Sequence, residues 1–183
     1  MSSPLPEQKY STAIRIIHWV RAALIVGLLA VGLLMVSLPD DMPEKFAILY
    51  PNHKQFGILA LLLVLTQLLL RRIHGVPEPV KLPPLEQTIF LFTHGFFYVL
   101  MIAVPVTGYC LSSSYPESDG IPFFLTSLPE LLDKDQALSS RFAAVHSLLA
   151  SGLLLLVALH VGGVLKHRLL DHGPLRRILD RML

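Results

Sequence analysis

The sequence predicts an all-α membrane protein, a transmembrane four-helix bundle with both termini in the cytoplasm. Three observations carry that expectation. Hydrophobic residues make up 53% of the 183-residue chain, charged residues only 15%, and the mean hydropathy is +0.60, more apolar than a soluble domain can bury. Four stretches approach the ~20 apolar residues needed to cross a hydrocarbon core. Lipid offers no hydrogen-bond partners to bare backbone, so each is expected to be a helix. Lastly, eleven of the fifteen basic residues (Lys9, Arg15, Arg21, Arg71, Arg72, Lys81, Lys166, Arg168, Arg176, Arg177 and Arg181) flank one side, whereas Lys45, Lys54, Lys134 and Arg141 fall on the other. Loops rich in Lys and Arg stay in the cytoplasm, which orients the bundle. The opposite loops carry an acidic excess that the net charge of +2 hides.

The first span, residues 14–36, follows a polar segment and leads into Leu38, Pro39, Asp40, Asp41, Met42 and Pro43. No small-x-small cleavage site is present, so it is read as a retained helix and not a signal peptide. His18 lies near its cytoplasmic start. The second span, residues 53–72, opens on His53 near the periplasmic side. The connector 73–86 contains Pro77, Pro79, Pro83 and Pro84 and is expected to be a stiff, extended crossing. The third span, residues 88–111, carries His94, for which a core hydrogen bond is the favoured role over metal ligation. The loop 112–140 is the longest. Loops of that length are uncommon unless they cover a site. It holds an apolar patch at 121–125 and an acidic segment at 129–135 with the makings of a short interfacial helix. The fourth span, residues 141–166, completes a single domain covering 1–183.

That last span holds the most specific signal. His146 and His160 are fourteen residues apart, which on a helix brings the second ring back within about 40° of the first and ~21 Å along the axis. One helix face therefore presents imidazoles at two depths. By orientation His53 matches the depth of His146, and His18 that of His160. Imidazole in a bilayer is a functional candidate by default and a standard axial ligand of haem iron. Two depth-matched pairs thus point to two haem b groups, one on each side. A helix-to-helix hydrogen bond is the plainer role for any single histidine. Gly57, Gly152, Gly162 and Gly163 leave room for a porphyrin, or for close helix packing. The lone cysteine, Cys110, forms no internal disulfide, and no Cys-x-x-Cys-His occurs to attach haem covalently.

The ordered residues Tyr10, His18-Trp19, His53 with Gly57, Arg71-Arg72, His94 with Pro105 and Gly108, and His146, His160 and His167 resemble the prokaryotic cytochrome b561 family over nearly the whole chain. The resemblance implies a di-haem b-type cytochrome of the bacterial inner membrane, with His18, His53, His146 and His160 as iron ligands. It also implies superoxide oxidase activity, in which superoxide gives electrons on the periplasmic side and ubiquinone is reduced on the other. Quinone contacts would then map to His167 and to Lys81. Gln67 departs from the pattern, standing where the resemblance leads one to expect an arginine. Lys54 and Arg141 are the charges near the periplasmic haem that can steer an anionic substrate. The alternative function is an electron-transfer cytochrome b subunit fed by a periplasmic dehydrogenase or hydrogenase-type partner. Membrane lipid and quinone are the expected surroundings, and no nucleic-acid partner is expected.

Overall fold

The computed structural model describes residues 9–75, 77, 82–118, 120–170 and 180–182, with the side chains of residues 167 and 170 excepted. Four long helices dominate: α1 (Thr12–Ser37), α2 (Tyr50–His74), α3 (Pro84–Ser114) and α4 (Gln136–Leu170). All four are long and apolar enough to cross a membrane. Large apolar side chains such as Phe92, Leu148 and Leu155 face outward, the arrangement expected where the surrounding solvent is lipid. Successive helices pack on one another, α1 on α2, α2 on α3 and α3 on α4.

Every helix outruns the span expected for it, because local chemistry extends it past the apolar stretch. Ser11 caps α1 by accepting a hydrogen bond from the backbone N–H of Ile14. Ahead of α2, Lys45–Leu49 forms a π-helical turn. There the ammonium of Lys45, buried at 4% exposure, donates to the Leu38 carbonyl at 3.0 Å and to Asp40 at 2.6 Å. Gly75, at φ +69°, ends α2 in a conformation that side chains rarely adopt. Pro84, expected in the connector, instead occupies the first turn of α3, where its missing N–H costs nothing. The proline-rich crossing is therefore shorter than expected, and residues 76 and 78–81 lie outside the described residues.

The long loop corrects the purely helical expectation. Its apolar patch forms a small antiparallel hairpin, β1 (Ile121–Phe123) with β2 (Thr126–Leu128). The segment 129–135 forms no helix. Its backbone donors are already engaged: Leu132 N–H by Ser113 Oγ at 3.0 Å and Asp135 N–H by the Ser114 carbonyl at 2.9 Å. Tyr109 donates to the Pro129 carbonyl at 2.6 Å, which fastens the same segment to α3. Asp135 then caps α4 by accepting from Leu138 N–H at 2.8 Å, so this helix starts well before Arg141. The hairpin docks on α2, with Gln55 Oε1 accepting from Phe124 N–H at 3.0 Å and Phe56 meeting Phe124 edge to face at 5.7 Å. At the opposite end the chain termini meet. Tyr10 N–H donates to the Arg181 carbonyl at 3.3 Å, and Trp19 Nε1 to the Met182 carbonyl at 3.1 Å. These ends are called here the hairpin side and the terminal side.

Candidate functional site

The fourteen-residue interval seen in α4 recurs on every helix. Counting fourteen from His18 reaches Gly32 on α1; from His53, Gln67 on α2; from His94, Gly108 on α3; and from His146, His160 on α4. Since α1 and α3 run opposite to α2 and α4, the eight residues sort into two levels ~21 Å apart along the helix axes. The hairpin-side level comprises Gly32, His53, Gly108 and His146. The terminal-side level comprises His18, Gln67, His94 and His160. Between them a core of Ile25, Val64, Leu100, Met101 and Leu153 draws on all four helices.

At the hairpin side His53 and His146 face each other across the bundle, ring centroids 6.3 Å apart and ring planes at 85°. His146 is held from behind. Its Nδ1 lies 2.9 Å from the Val104 carbonyl. A carbonyl only accepts, so Nδ1 carries the proton and Nε2 of the neutral ring keeps its lone pair. Such a backbone hydrogen bond is the usual support of a metal-ligating histidine. A glycine of α3 permits the approach. Gly108 leaves the space, since a Cβ there would sit 3.0 Å from His146 Cε1 and 3.1 Å from Nδ1. A Cβ on Gly32 would touch His53 Cε1 at 3.5 Å. Neither role was drawn from the sequence, although the same interval marks both glycines.

At the terminal side His160 meets His94, with centroids 5.8 Å apart at 82°, and Phe97 at 5.3 Å. His94 Nδ1 donates to the Phe90 carbonyl at 2.8 Å, which aims its other nitrogen away from its own backbone. His18, on α1 at the same level, meets the Trp19 ring edge to face at 5.4 Å. The side chain of His167, and Lys81 altogether, fall outside the described residues. Arg21 corrects the sequence reading. Counted there among the flanking cations, it is buried in the bundle at 6% exposure, over the ring of Tyr98.

The other expected residues lie as follows. Lys54 acts on Glu130 by its charge, while Arg141 is exposed at the start of the apolar part of α4. Glu130, in the loop, titrates below the usual carboxylate range, chiefly because Lys134 hydrogen-bonds it at 2.6 Å, then through Ser118 and the charges of Lys134 and Lys54. Side chains added at Gly57, Gly162 or Gly163 would meet nothing within 4 Å, and one at Gly152 only Leu100 at 4.0 Å. These glycines therefore open space and do not serve close helix packing.

The donor set suits a haem better than a bare ion. Among the described residues no three His, Cys, Asp or Glu side chains converge on one point. Paired imidazoles are what an iron needs when a macrocycle supplies its other four positions. With metal-to-imidazole bonds of ~2 Å, the 6.3 Å between His53 and His146 accommodates one such ion. His53 Nδ1 is also buried without a hydrogen-bond partner among the described residues, a polar atom that the protein alone leaves unsatisfied.

Comparison with known proteins agrees with this architecture. The sequence pattern of the prokaryotic cytochrome b561 family matches residues 9–181. Cytochrome b561 homolog 2 of Escherichia coli (strain K12) is 29% identical over 188 aligned positions, covering 99% of this chain and 96% of that protein. With helices fit to span a membrane, facing imidazoles and a match along nearly its whole length, this chain belongs to the prokaryotic cytochrome b561 family, membrane electron-transfer proteins that carry haem b.

Proposed function

We propose that the protein is a di-haem b-type cytochrome of the bacterial inner membrane that oxidises superoxide on the hairpin side and reduces ubiquinone on the terminal side. The carrying observation is the pair of histidine levels set fourteen residues apart on α4. The overall reaction balances with two superoxide anions each losing one electron to become dioxygen, and one ubiquinone gaining two electrons and two protons. Bound haem supplies a one-electron couple at each level. The chain's own work is to hold and surround it. His53 and His146 would provide the hairpin-side ligands, with Val104 fixing the tautomer of His146. His18 and His160 would provide the others.

By the distribution of basic residues the hairpin side is periplasmic and both termini are cytoplasmic. Lys54 and Arg141 give the approaching anion a local positive field on an otherwise acidic face. At the terminal end His167 and Lys81 are the proposed contacts for the quinone head group, with His167 suited to pass protons. A shallow groove lined by Thr12, Arg15, Trp19 and Met182 opens at that end.

A second reading, an electron-transfer subunit served by a periplasmic protein donor, draws on the hairpin tip. There Leu125 is fully exposed and Phe124 half exposed, close to the start of α2. One experiment separates the two. The protein purified in detergent is given superoxide, with and without ubiquinone, while the b-type α-band is followed. Rapid reduction by superoxide and reoxidation by quinone is the expected result. Haems that stay oxidised until a donor protein is added would establish the subunit role instead, and absence of an α-band would refute both.

A further inference from the structure

Among the described residues Arg21 is a cation with no ion-pair partner. The four membrane helices contain one acidic residue, Glu86, in the first turn of α3. Arg21 lies nine residues into α1, one turn from His18, and its side chain does not turn back toward the surface as a snorkelling arginine would. It is 6% exposed, its Nε and Nη1 have no hydrogen-bond partner among the described residues, and its charged group lies 5.8 Å from the centroid of the Tyr98 ring. Its polar neighbours are Tyr98 and a second cation, Arg71, neither of them a carboxylate. Gln67, also on the terminal-side level and 2% exposed, has a buried Oε1 without a partner among the described residues. The two ends of its amide are interchangeable, so it can offer a donor there as readily as an acceptor. A buried guanidinium with two unpartnered donor nitrogens is costly, and its geometry matches one chemical group above others, a carboxylate.

We propose that Arg21 binds a propionate carboxylate of the haem held at the terminal-side level, with Gln67, buried at the same level, as a second donor. The propionates are the charged groups of an otherwise apolar cofactor, and the ligand pair proposed at that level includes His18, three residues from Arg21 on the same face of α1. A lipid phosphate offers related chemistry, yet Arg21 is 6% exposed and its charged group lies over the Tyr98 ring inside the bundle. Arginine at this point also sets the electrochemistry, because a nearby positive charge favours the reduced, more negative state of the haem.

The inference rests on haem binding at His18 and His160, so the haem content of the unsubstituted protein is measured first. Two per chain, with one lost in His18→Ala, establishes that basis independently, and failure there is distinguishable from failure of the Arg21 role. The holoprotein is then titrated potentiometrically as Arg21, Arg21→Gln and Arg21→Lys. In Arg21→Gln the reduction equilibrium of the haem that His18→Ala removes is expected to fall about tenfold, equivalent to 59 mV for one electron. The other haem should be unmoved, and Arg21→Lys should recover most of the loss. Reconstitution with haem dimethyl ester, whose propionates are uncharged, supplies a double-mutant-type cycle. Esterification and loss of Arg21 should be non-additive if the two groups form a pair. Full additivity, an unshifted midpoint, or a shift persisting undiminished in the ester, as a lipid phosphate partner would give, overturns the proposal. Should Arg21→Gln fail to assemble, the same cycle run between Arg21 and Arg21→Lys decides it.

Discussion

The two levels of the bundle repeat one spacing with opposite chemistry. On the hairpin side two histidines face each other and the other two helices contribute glycines, so α1 and α3 are brought close to the imidazoles with no side chain between. On the terminal side the equivalent positions of α2 and α3 carry Gln67 and His94 instead, and Arg21 adds a buried charge one turn away. The first level is built around two imidazoles and little else. The second sets hydrogen-bonding groups and positive charge around its imidazoles. A plain level suits exchange with a small donor, whereas a polar one suits a cofactor whose potential and protons must be managed.

The sharpest way to break the comparison is to remove ligands one at a time. His146→Ala and His160→Ala should each abolish a different haem, halving the haem content measured by pyridine haemochrome, and loss of the same haem from both would overturn the separation into levels. Next in size, Gly108→Ala places a methyl group 3.0 Å from the His146 ring. Overpacking of this kind costs about 1–3 kcal/mol, and the hairpin-side haem should turn high-spin or dissociate while the other stays low-spin. Gly27→Ala, where an added Cβ meets nothing, is the control. His94→Ala should retain both haems and change only the midpoint of the terminal-side one; loss of that haem would make His94 a ligand in its own right. The smallest effect belongs to Glu130. Its carboxyl titrates below the ordinary value of 4.5, mainly through Lys134. A depressed pKa stabilises the folded state above the unfolded value, and that stability disappears as the pH falls through the folded one. Glu130→Gln should therefore lower thermal stability slightly at neutral pH and not at all under strongly acid conditions, with both haem spectra unchanged.

Much of this was legible in the sequence because the bilayer enforces it. Four apolar runs have to be helices, and a histidine inside one has to be explained. The interval between His146 and His160 therefore carried real information about depth. What escaped detection involved groups that signal nothing alone. Gly32 and Gly108 follow the same interval, but a glycine in a membrane helix is common and its neighbour is a matter of tertiary packing. Ser113 and Ser114 read as loop residues, yet they take up the donors that a helix at 129–135 needed. Arg21 looked like a flanking cation because charge counts register position along the chain and not the direction in which a side chain turns. The hairpin was hidden in three-residue strands too short for any periodicity to show.

The middle of the bundle has its own consequence. Ile25, Met101 and Leu153 each lie seven residues from both levels, and with Val64 and Leu100 they form a buried layer of hydrocarbon and one thioether. These five side chains carry no hydroxyl, amide or imidazole, while the Tyr98 ring packs against them. On the proposed function an electron would tunnel through this layer with no proton relay among the five. Each electron passed between the levels would then move its charge uncompensated across the membrane's insulating centre. The membrane potential becomes a force on the reaction, helping or hindering it by ~2.3 kcal/mol per charge for each 100 mV traversed.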